Sequence, residues 1–307
     1  MGLMTGFKAN KAYRLQKNGD SDEAIRLYEE CFAEGMNDAR FNLAYALLII
    51  RKGEYQKAKE FLVKHQKTPG MTPDQRTTLL VDYAACCYRL GDLEKGIATL
   101  EQQFRKGETG LLYQTLGCLY VEQFDPANRE AFLEKRAAEI QQEAEAEEAR
   151  RLQAEQRTPD AAEAGDPVPP VREAESEPAA EGEAPAAPKA KTPEEAWQEG
   201  MDKAEEFIRR SIEYDEEDAV CLDNMGQFLY RVRGDKAAAK PWFDKAHEQK
   251  ESQIDTLWFL SRYDLDAGDT KAAAEKLEKL LEGRFSPLNY ATREMAEKEL
   301  ERLKGAN

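Results

Sequence analysis

Apolar residues recur at helical spacing over most of this chain. Segments with apolar residues three and four positions apart flank a short polar phrase with a central glycine, and no alternating strand pattern competes with them. The phrase occurs as NGDSDEA (18–24), KGEYQKA (52–58), LGDLEKG (90–96), RGDKAAA (233–239) and AGDTKAA (267–273). Each occurrence predicts one unit that consists of a helix, a tight glycine turn and a second helix.

Two of the intervals between these phrases have the same length. Gly19 and Gly53 are 34 residues apart, and Gly234 and Gly268 are again 34 residues apart. A fixed period of this length is typical of stacked helical hairpins, because each hairpin buries its apolar face against its neighbours. The pattern therefore predicts an all-α solenoid of about six hairpins. Pro241 lies inside the second helix of the fifth hairpin, where we expect it to bend the helix or delay its start.

The units resemble the tetratricopeptide repeat, whose first helix carries a bulky residue followed by a small one where two helices cross closely. The matching pairs are Leu43-Ala44, Tyr83-Ala84, Leu116-Gly117, Met225-Gly226 and Leu260-Ser261, with Ala12 at the small position of repeat one. This alignment makes the first helix or turn of repeat two longer by two residues and gives repeat five one extra residue before its turn. The resemblance covers nearly everything outside residues 129–192 and implies a right-handed superhelical solenoid.

The composition changes between residues 129 and 192. This insert contains only six Leu, Ile, Val or Phe residues, seven prolines, and 16 acidic against 9 basic residues. Its first half is rich in helix-forming residues and predicts a long solvated helix, whereas its proline-rich second half predicts disorder.

We therefore expect three domains. Residues 1–128 form an N-terminal array with repeats one to three and the first helix of repeat four. Residues 129–192 form the insert. Residues 193–307 contain the second helix of repeat four, with Ala204 at its small position, then repeats five and six and a capping helix from Ser286-Pro287 to Leu303.

The charge and the reactive residues narrow the classes of function. Acidic residues outnumber basic ones by 60 to 44, and the net charge of −16 disfavours nucleic acid and anionic membrane surfaces as partners. Two histidines and five cysteines without a CxxC pair indicate no metal site, no cofactor and a reducing compartment. The start, MGLMTGFKANKAYRLQ, has no long apolar run. We expect a cytoplasmic protein without membrane insertion and without an evident small-molecule substrate.

The resemblance implies that the first helices line a concave groove, which usually binds extended peptides or partner helices. The residues that it places on this wall are Asn10, Tyr13, Phe41, Asn42, Tyr45, Arg89, Asn224, Gln227, Arg231, Trp258 and Arg262. Asparagines there can donate to and accept from a peptide backbone, and aromatic residues add contact area. The alternative is that the asparagines bond within their own hairpin and the aromatic rings pack into the wall. Cys118, which also projects toward the groove, is the best candidate for a reactive thiol.

These observations predict a non-enzymatic adaptor that binds a protein or peptide segment in its groove. An alternative is a regulatory sensor, in which a bound peptide changes the pitch of the superhelix. A third class is an enzyme that uses a carboxylate pair on the helical scaffold. An open channel lined by aromatic and amide groups would support binding, whereas a closed pocket with two facing buried carboxylates would favour the enzyme.

Overall fold

The described part of the chain is built from helices alone. The computed structural model describes residues 3–156 and 192–305, and these ranges contain no strand. The α helices are α1 Leu3–Asn18, α2 Ser21–Ala33, α3 Ala39–Arg51, α4 Tyr55–His65, α5 Pro73–Arg89, α6 Leu93–Phe104, α7 Gly110–Gln123, α8 Arg129–Gln156, α9 Pro193–Tyr214, α10 Ala219–Gln227, α11 Lys236–Gln249, α12 Ile254–Asp266, α13 Thr270–Leu281 and α14 Arg293–Gly305. This architecture confirms the predicted all-α array. The proline-rich segment predicted to be disordered lies, from residue 157 to 191, outside the described residues.

Successive helices pair into hairpins at the repeated phrase. Helices α1 and α2, α3 and α4, α5 and α6, α10 and α11, and α12 and α13 each pack against one another. The turn glycines, such as Gly53 at φ +79° and Gly268 at φ +81°, adopt left-handed backbone angles that a Cβ atom would disfavour. In the last two hairpins the next residue, Asp235 or Asp269, accepts a hydrogen bond at 2.9 Å from a main-chain N–H of the second helix. Glycine therefore ends one helix, and aspartate starts the next.

The chain divides into two compact units. One unit contains residues 1–126 and 201–307, and the other contains residues 127–200. In the larger unit, the second helix of repeat four is supplied by α9, whose Ala204 and Ile208 are buried. The Phe207 ring of that helix meets Tyr113 of α7 with ring centroids 5.3 Å apart. In the smaller unit, Phe132 of α8 meets Trp197 of α9 edge to face at 5.1 Å.

The register of repeat two differs from the alignment given above. Ala46, rather than Ala44, is the residue with no exposed surface at the crossing of α3 and α4, and Tyr45 is its bulky neighbour. Ala12 and Ala46 are 34 residues apart, and each precedes the alanine of its second helix, Ala24 or Ala58, by 12 residues, so the first helix and turn of repeat two have no extra residues. The expected lengthening of this repeat is therefore wrong. The inner side of α3 is formed by Leu47 and Ile50.

The extra residue of repeat five is accommodated as a π-helical turn. Helix α10 ends at Gln227, and Phe228–Val232 continue it as a π-helix. A single extra residue inside a helix is commonly absorbed in this way, because the wider turn keeps both flanking segments in register. Helix α11 then runs through Pro241. The predicted delay of this helix is therefore not observed.

The C-terminal cap is shorter than predicted. Helix α14 begins at Arg293, buries Ala296, Leu300 and Leu303, and packs against α13. Residues 284–292, which we call the groove segment, contain no helix. Pro287 and the hydrogen bond from the Ser286 main-chain N–H to Asn289 Oδ1, at 2.7 Å, favour a turn there.

None of the helices within residues 3–156 and 192–305 combines the length and the apolar character that a membrane span requires.

Candidate functional site

The first helices of repeats two to six face a common cavity in the larger unit. Its volume is about 690 Å³, and we call it the groove. It is lined from α3 by Leu47 and Ile50, from α5 by Val81, Asp82 and Ala85, from α7 by Leu111, Gln114, Thr115 and Cys118, from α10 by Val220, Asp223, Asn224 and Gln227, from α12 by Ile254 and Asp255, and from later residues that include Ser286, Pro287, Leu288 and Asn289. Side chains from five repeats therefore meet here.

The groove segment crosses this wall and is bound by it. Its Asn289 side chain donates from Nδ2 to Asp255 Oδ2 at 3.0 Å, and the main-chain N–H of Ala291 donates to Asp255 Oδ1 at 2.9 Å. The Cys118 thiol lies 3.3 Å from the carbonyl oxygen of Leu288, to which it donates. The Leu288 side chain packs on a cluster of buried residues from α5, α6 and α7. Both the main chain and the side chains of the segment are thus recognised.

An aromatic and cationic site holds the tyrosine of this segment. The Tyr290 ring stacks on Phe259 with centroids 5.3 Å apart, and the Arg231 guanidinium lies 4.0 Å from the centroid of the same ring. Arg231 also forms ion pairs with Glu122 at 2.6 Å and Asp125 at 2.8 Å. These carboxylates fix the guanidinium in place, so that it presents its face to the ring.

The groove carries two buried carboxyl groups, Asp223 and Asp255, and the half-buried Asp82. Burial raises the pKa of Asp82 to about 7, while the nearby positive charge of Arg51 acts in the opposite direction. Burial, followed by the neighbouring Asp255, raises the pKa of Asp223 to about 7. Burial also raises the pKa of Asp255, against the hydrogen bonds from Asn289 and the main chain. Burial therefore favours the protonated form of these carboxyl groups.

Asp223 and Asp255 form the kind of buried pair that would have favoured an enzyme, but their oxygens are engaged. Asp223 Oδ1 accepts from Thr256 Oγ1 at 2.6 Å and Oδ2 accepts from Gln227 Nε2 at 2.7 Å. Both oxygens of Asp255 accept from the groove segment. A general acid or base needs a carboxyl oxygen within reach of a substrate. The observed hydrogen bonds instead give both groups a role in holding the wall and the segment together.

Five of the residues predicted on the wall lie in repeats five and six, and two of the five line the groove. Asn224 and Gln227 line it but are buried, and Asn224 Nδ2 donates to the Gln114 carbonyl oxygen at 2.9 Å. Arg231 contacts the groove segment as described. Trp258 is buried, and the Arg262 guanidinium lies 4.2 Å from the centroid of its ring. Arg262 also pairs with Glu299 of the cap at 2.9 Å.

Three predicted residues lie in repeats one and three, outside the lining of the groove. Asn10 is exposed and donates to the Gly6 carbonyl oxygen at 2.8 Å. Tyr13 is half-buried, with the Lys17 amino group 5.0 Å from the centroid of its ring. Arg89 is exposed and helps to line a second cavity of about 170 Å³, beside the groove segment.

The shifted register of repeat two corrects the placement of Phe41, Asn42 and Tyr45. All three are buried against other helices and do not line the groove. Asn42 Nδ2 donates to Asn37 Oδ1 and Thr68 Oγ1, each at 3.0 Å. The Tyr45 hydroxyl donates to Glu29 Oε1 at 2.8 Å. The physical reason is the crossing at Ala46, which turns these side chains toward the second helices.

The groove residues that the sequence prediction missed include Leu47, Ile50, Leu111 and the groove segment. The 34-residue distance from Ala12 to Ala46 was a signal for the first two. The groove segment had no such signal, because its partners Cys118 and Asp255 are distant in sequence. Cys118 does lie in the groove as expected, but burial raises the pKa of its thiol well above the ordinary value. It therefore acts as a donor rather than as a thiolate nucleophile.

Known proteins share the fold at low sequence identity. A family model described as "Anaphase-promoting complex, cyclosome, subunit 3" matches residues 17–103. No curated protein matches the chain. PilW, a widely conserved type IV pilus biogenesis factor, is similar at a TM-score of 0.53 and 12% identity, over 99% of this chain and 100% of that chain. A thermophilic TPR protein of Thermus thermophilus is similar at a TM-score of 0.52 and 12% identity, over 87% of this chain and 99% of that chain.

The comparisons agree with the repeat pattern and with the observed hairpins. Helical pairs at a 34-residue period, small residues at their crossings and glycine at their turns are the features that the sequence shares with this class. The chain therefore has the fold of tetratricopeptide-repeat proteins.

Proposed function

We propose that this protein is a non-enzymatic adaptor that binds a peptide segment of a partner protein in the groove. The observation that carries this proposal is that the groove already holds a non-helical stretch of polypeptide. Asp255 accepts from the main chain of that stretch at Ala291, and Cys118 donates to it at Leu288. A surface that binds main-chain groups and side chains together is suited to peptide recognition.

The composition of the wall supports the same function. Leu47, Ile50 and Leu111 supply apolar area at one side of the groove, while Gln114 and Asp82 supply polar groups. Specific interfaces commonly combine an apolar centre with a few hydrogen-bonding groups that fix orientation. The engagement of all four oxygens of Asp223 and Asp255 supports a binding role over a catalytic one.

A displayed library of random twelve-residue peptides, selected on the full-length chain, tests the proposal. Leu111, which is 37% exposed, lines the groove, whereas Val63, which is 46% exposed, lies on α4 and does not. We expect Leu111→Lys to weaken the selected peptides about tenfold or more, because it places a charge on the apolar wall. Val63→Lys is the matched control and should leave their affinity unchanged. Equal affinity for the two variants would contradict the assignment of the groove as the binding site.

A further inference from the structure

The groove segment contacts the wall in the way that a bound peptide would. We propose that residues 284–292 are an internal ligand of the groove, and that the partner is a peptide of the same chemistry, with an asparagine followed by an aromatic residue. This inference rests on the proposed function and names both its ligand class and its regulation. The partner peptide takes the place of the segment.

The first step concerns Asp255, which selects the asparagine and the main chain. Asp255 is only 4% exposed; its Oδ2 accepts from Asn289 Nδ2 and its Oδ1 accepts from the Ala291 N–H. A buried carboxylate that lost both donors would be strongly destabilised. The groove is therefore poorly suited to stand empty at this point. When the segment leaves, Asp255 needs two other donors in place of the Asn289 side chain and the Ala291 N–H. A peptide with an asparagine two residues before a free main-chain N–H supplies both donors.

The second step concerns the site of Tyr290, which selects an aromatic ring. Phe259 offers a ring face and Arg231 offers a guanidinium face to Tyr290. The ion pairs of Arg231 with Glu122 and Asp125 do not involve Tyr290, so the guanidinium does not need the ring to hold its position. An aliphatic side chain would lose both the stacking and the cation–π contact.

The third step concerns the tether. The groove segment is attached to α13, which ends at Leu281, and to α14, which begins at Arg293. Attachment at both ends gives the segment a high effective concentration, on the order of millimolar for short links. A partner that binds only the vacated groove has its apparent affinity reduced by the fraction of molecules in which the segment has left. Weakening the segment must therefore strengthen binding of a peptide supplied in solution.

A labelled peptide with the sequence of residues 284–293, RFSPLNYATR, tests this inference by fluorescence anisotropy with the full-length chain. We expect Asn289→Ala/Tyr290→Ala in the protein to tighten its binding at least tenfold relative to wild type. The same two changes in the peptide should abolish binding to the protein variant. Asn18→Ala/Tyr214→Ala is the matched control, since both residues are exposed outside the groove, and it should bind the peptide as wild type does.

Equal affinity for wild type and the double variant would overturn the inference, and so would the absence of binding to both. If the double variant loses its helical circular dichroism, the single variant Asn289→Ala is used in its place. We expect this variant to bind the labelled peptide at least about threefold more tightly than wild type does. A wild-type dimer in light scattering, dissociated by the Asn289→Ala/Tyr290→Ala change, would place the segment in a second copy and would also overturn it. If library peptides still depend on Leu111 while the RFSPLNYATR peptide fails, the internal ligand is refuted and the peptide-binding function stands.

Discussion

At the scale of single residues, surroundings decide the roles of similar side chains. Asn42 and Asn224 were both expected on the inner wall, yet Asn42 bonds to Asn37 and Thr68 between hairpins, and Asn224 ties α10 to α7 through the Gln114 carbonyl. The sequence could identify them as amides within first helices. It could not identify their partners, because these are set by packing between residues that lie far apart in the chain.

The raised pKa of Asp82 predicts a pH-dependent stability. Its pKa of about 7 in the folded chain exceeds the unfolded value, so the folded state binds the extra proton between about pH 4 and 7. The contribution of Asp82 to the free energy of unfolding is therefore most favourable below about pH 4 and is lost as the pH rises through 7. Between pH 5 and pH 8, we expect the free energy of unfolding of wild type to fall by about 1–2 kcal/mol more than that of Asp82→Asn, as measured by urea unfolding.

Asp92→Asn is the control for this experiment. The hydrogen bond from Lys59 lowers the pKa of Asp92, so that this group is ionised at both pH values in the folded and in the unfolded chain. Its substitution should change stability equally at pH 5 and pH 8. If Asp82→Asn behaved in the same way, Asp82 would not retain its proton in the folded protein.

Close helix crossing makes Gly226 sensitive to a single methyl group. A Cβ atom at this position would lie 2.7 Å from Phe243 Cε1, whereas one at Gly6, in α1, would meet nothing within 4 Å. We expect Gly226→Ala to lower the free energy of unfolding by about 1–3 kcal/mol through overpacking. Gly6→Ala should be neutral or stabilising by up to about 1 kcal/mol. Thermal and urea unfolding of both variants measure this, and equal effects would contradict the close crossing.

At the scale of the elements, the sequence was informative wherever local chemistry is decisive. The Gly-Asp pairs at 234–235 and 268–269 mark where one helix ends and the next begins, and the recurring glycine phrase orders the hairpins. The sequence was insufficient where two alignments compete. In repeat two, both Leu43-Ala44 and Tyr45-Ala46 satisfy the pattern of a bulky residue followed by a small one. The groove segment was least predictable, since its conformation depends on Cys118 and Asp255 rather than on periodicity.

Helix α11 contains an avoidable defect at Pro241. Proline lacks the N–H that would bond to the Ala237 carbonyl, and the Pro241 side chain is exposed, so little packing offsets that loss. We expect Pro241→Ala to raise the free energy of unfolding by about 1–3 kcal/mol in urea titrations. Pro73, the first residue of α5, needs no such donor, and Pro73→Ala should change stability by less than about 0.5 kcal/mol. A Pro241→Ala variant no more stable than wild type would show that the bond is not regained.

At the scale of the whole molecule, the larger unit is held together by contacts between neighbouring hairpins. Stability in such arrays is a sum of local terms, so a hairpin with one neighbour is less protected than a hairpin with two. At the N-terminal end, α1 packs on α2 and α3, and its Met4 and Phe7 side chains are 78% and 68% exposed. We expect the amides of α1 and α2 to exchange with deuterium about tenfold or more faster than those of α5 and α7, as followed by mass spectrometry. Uniform exchange along the array would indicate a single cooperative core instead.

The continuity of the groove segment with α14 couples the interior of the array to its C-terminal end. Thr292 ends the segment, and its side chain accepts from the Met295 N–H in the first turn of α14. A ligand that removes the segment must therefore disturb the docking of this last helix, and by thermodynamic reciprocity a helix held more tightly must weaken the ligand. A second protein that bound the outer side of α14 would therefore change the affinity of the groove for its ligand without contacting the groove.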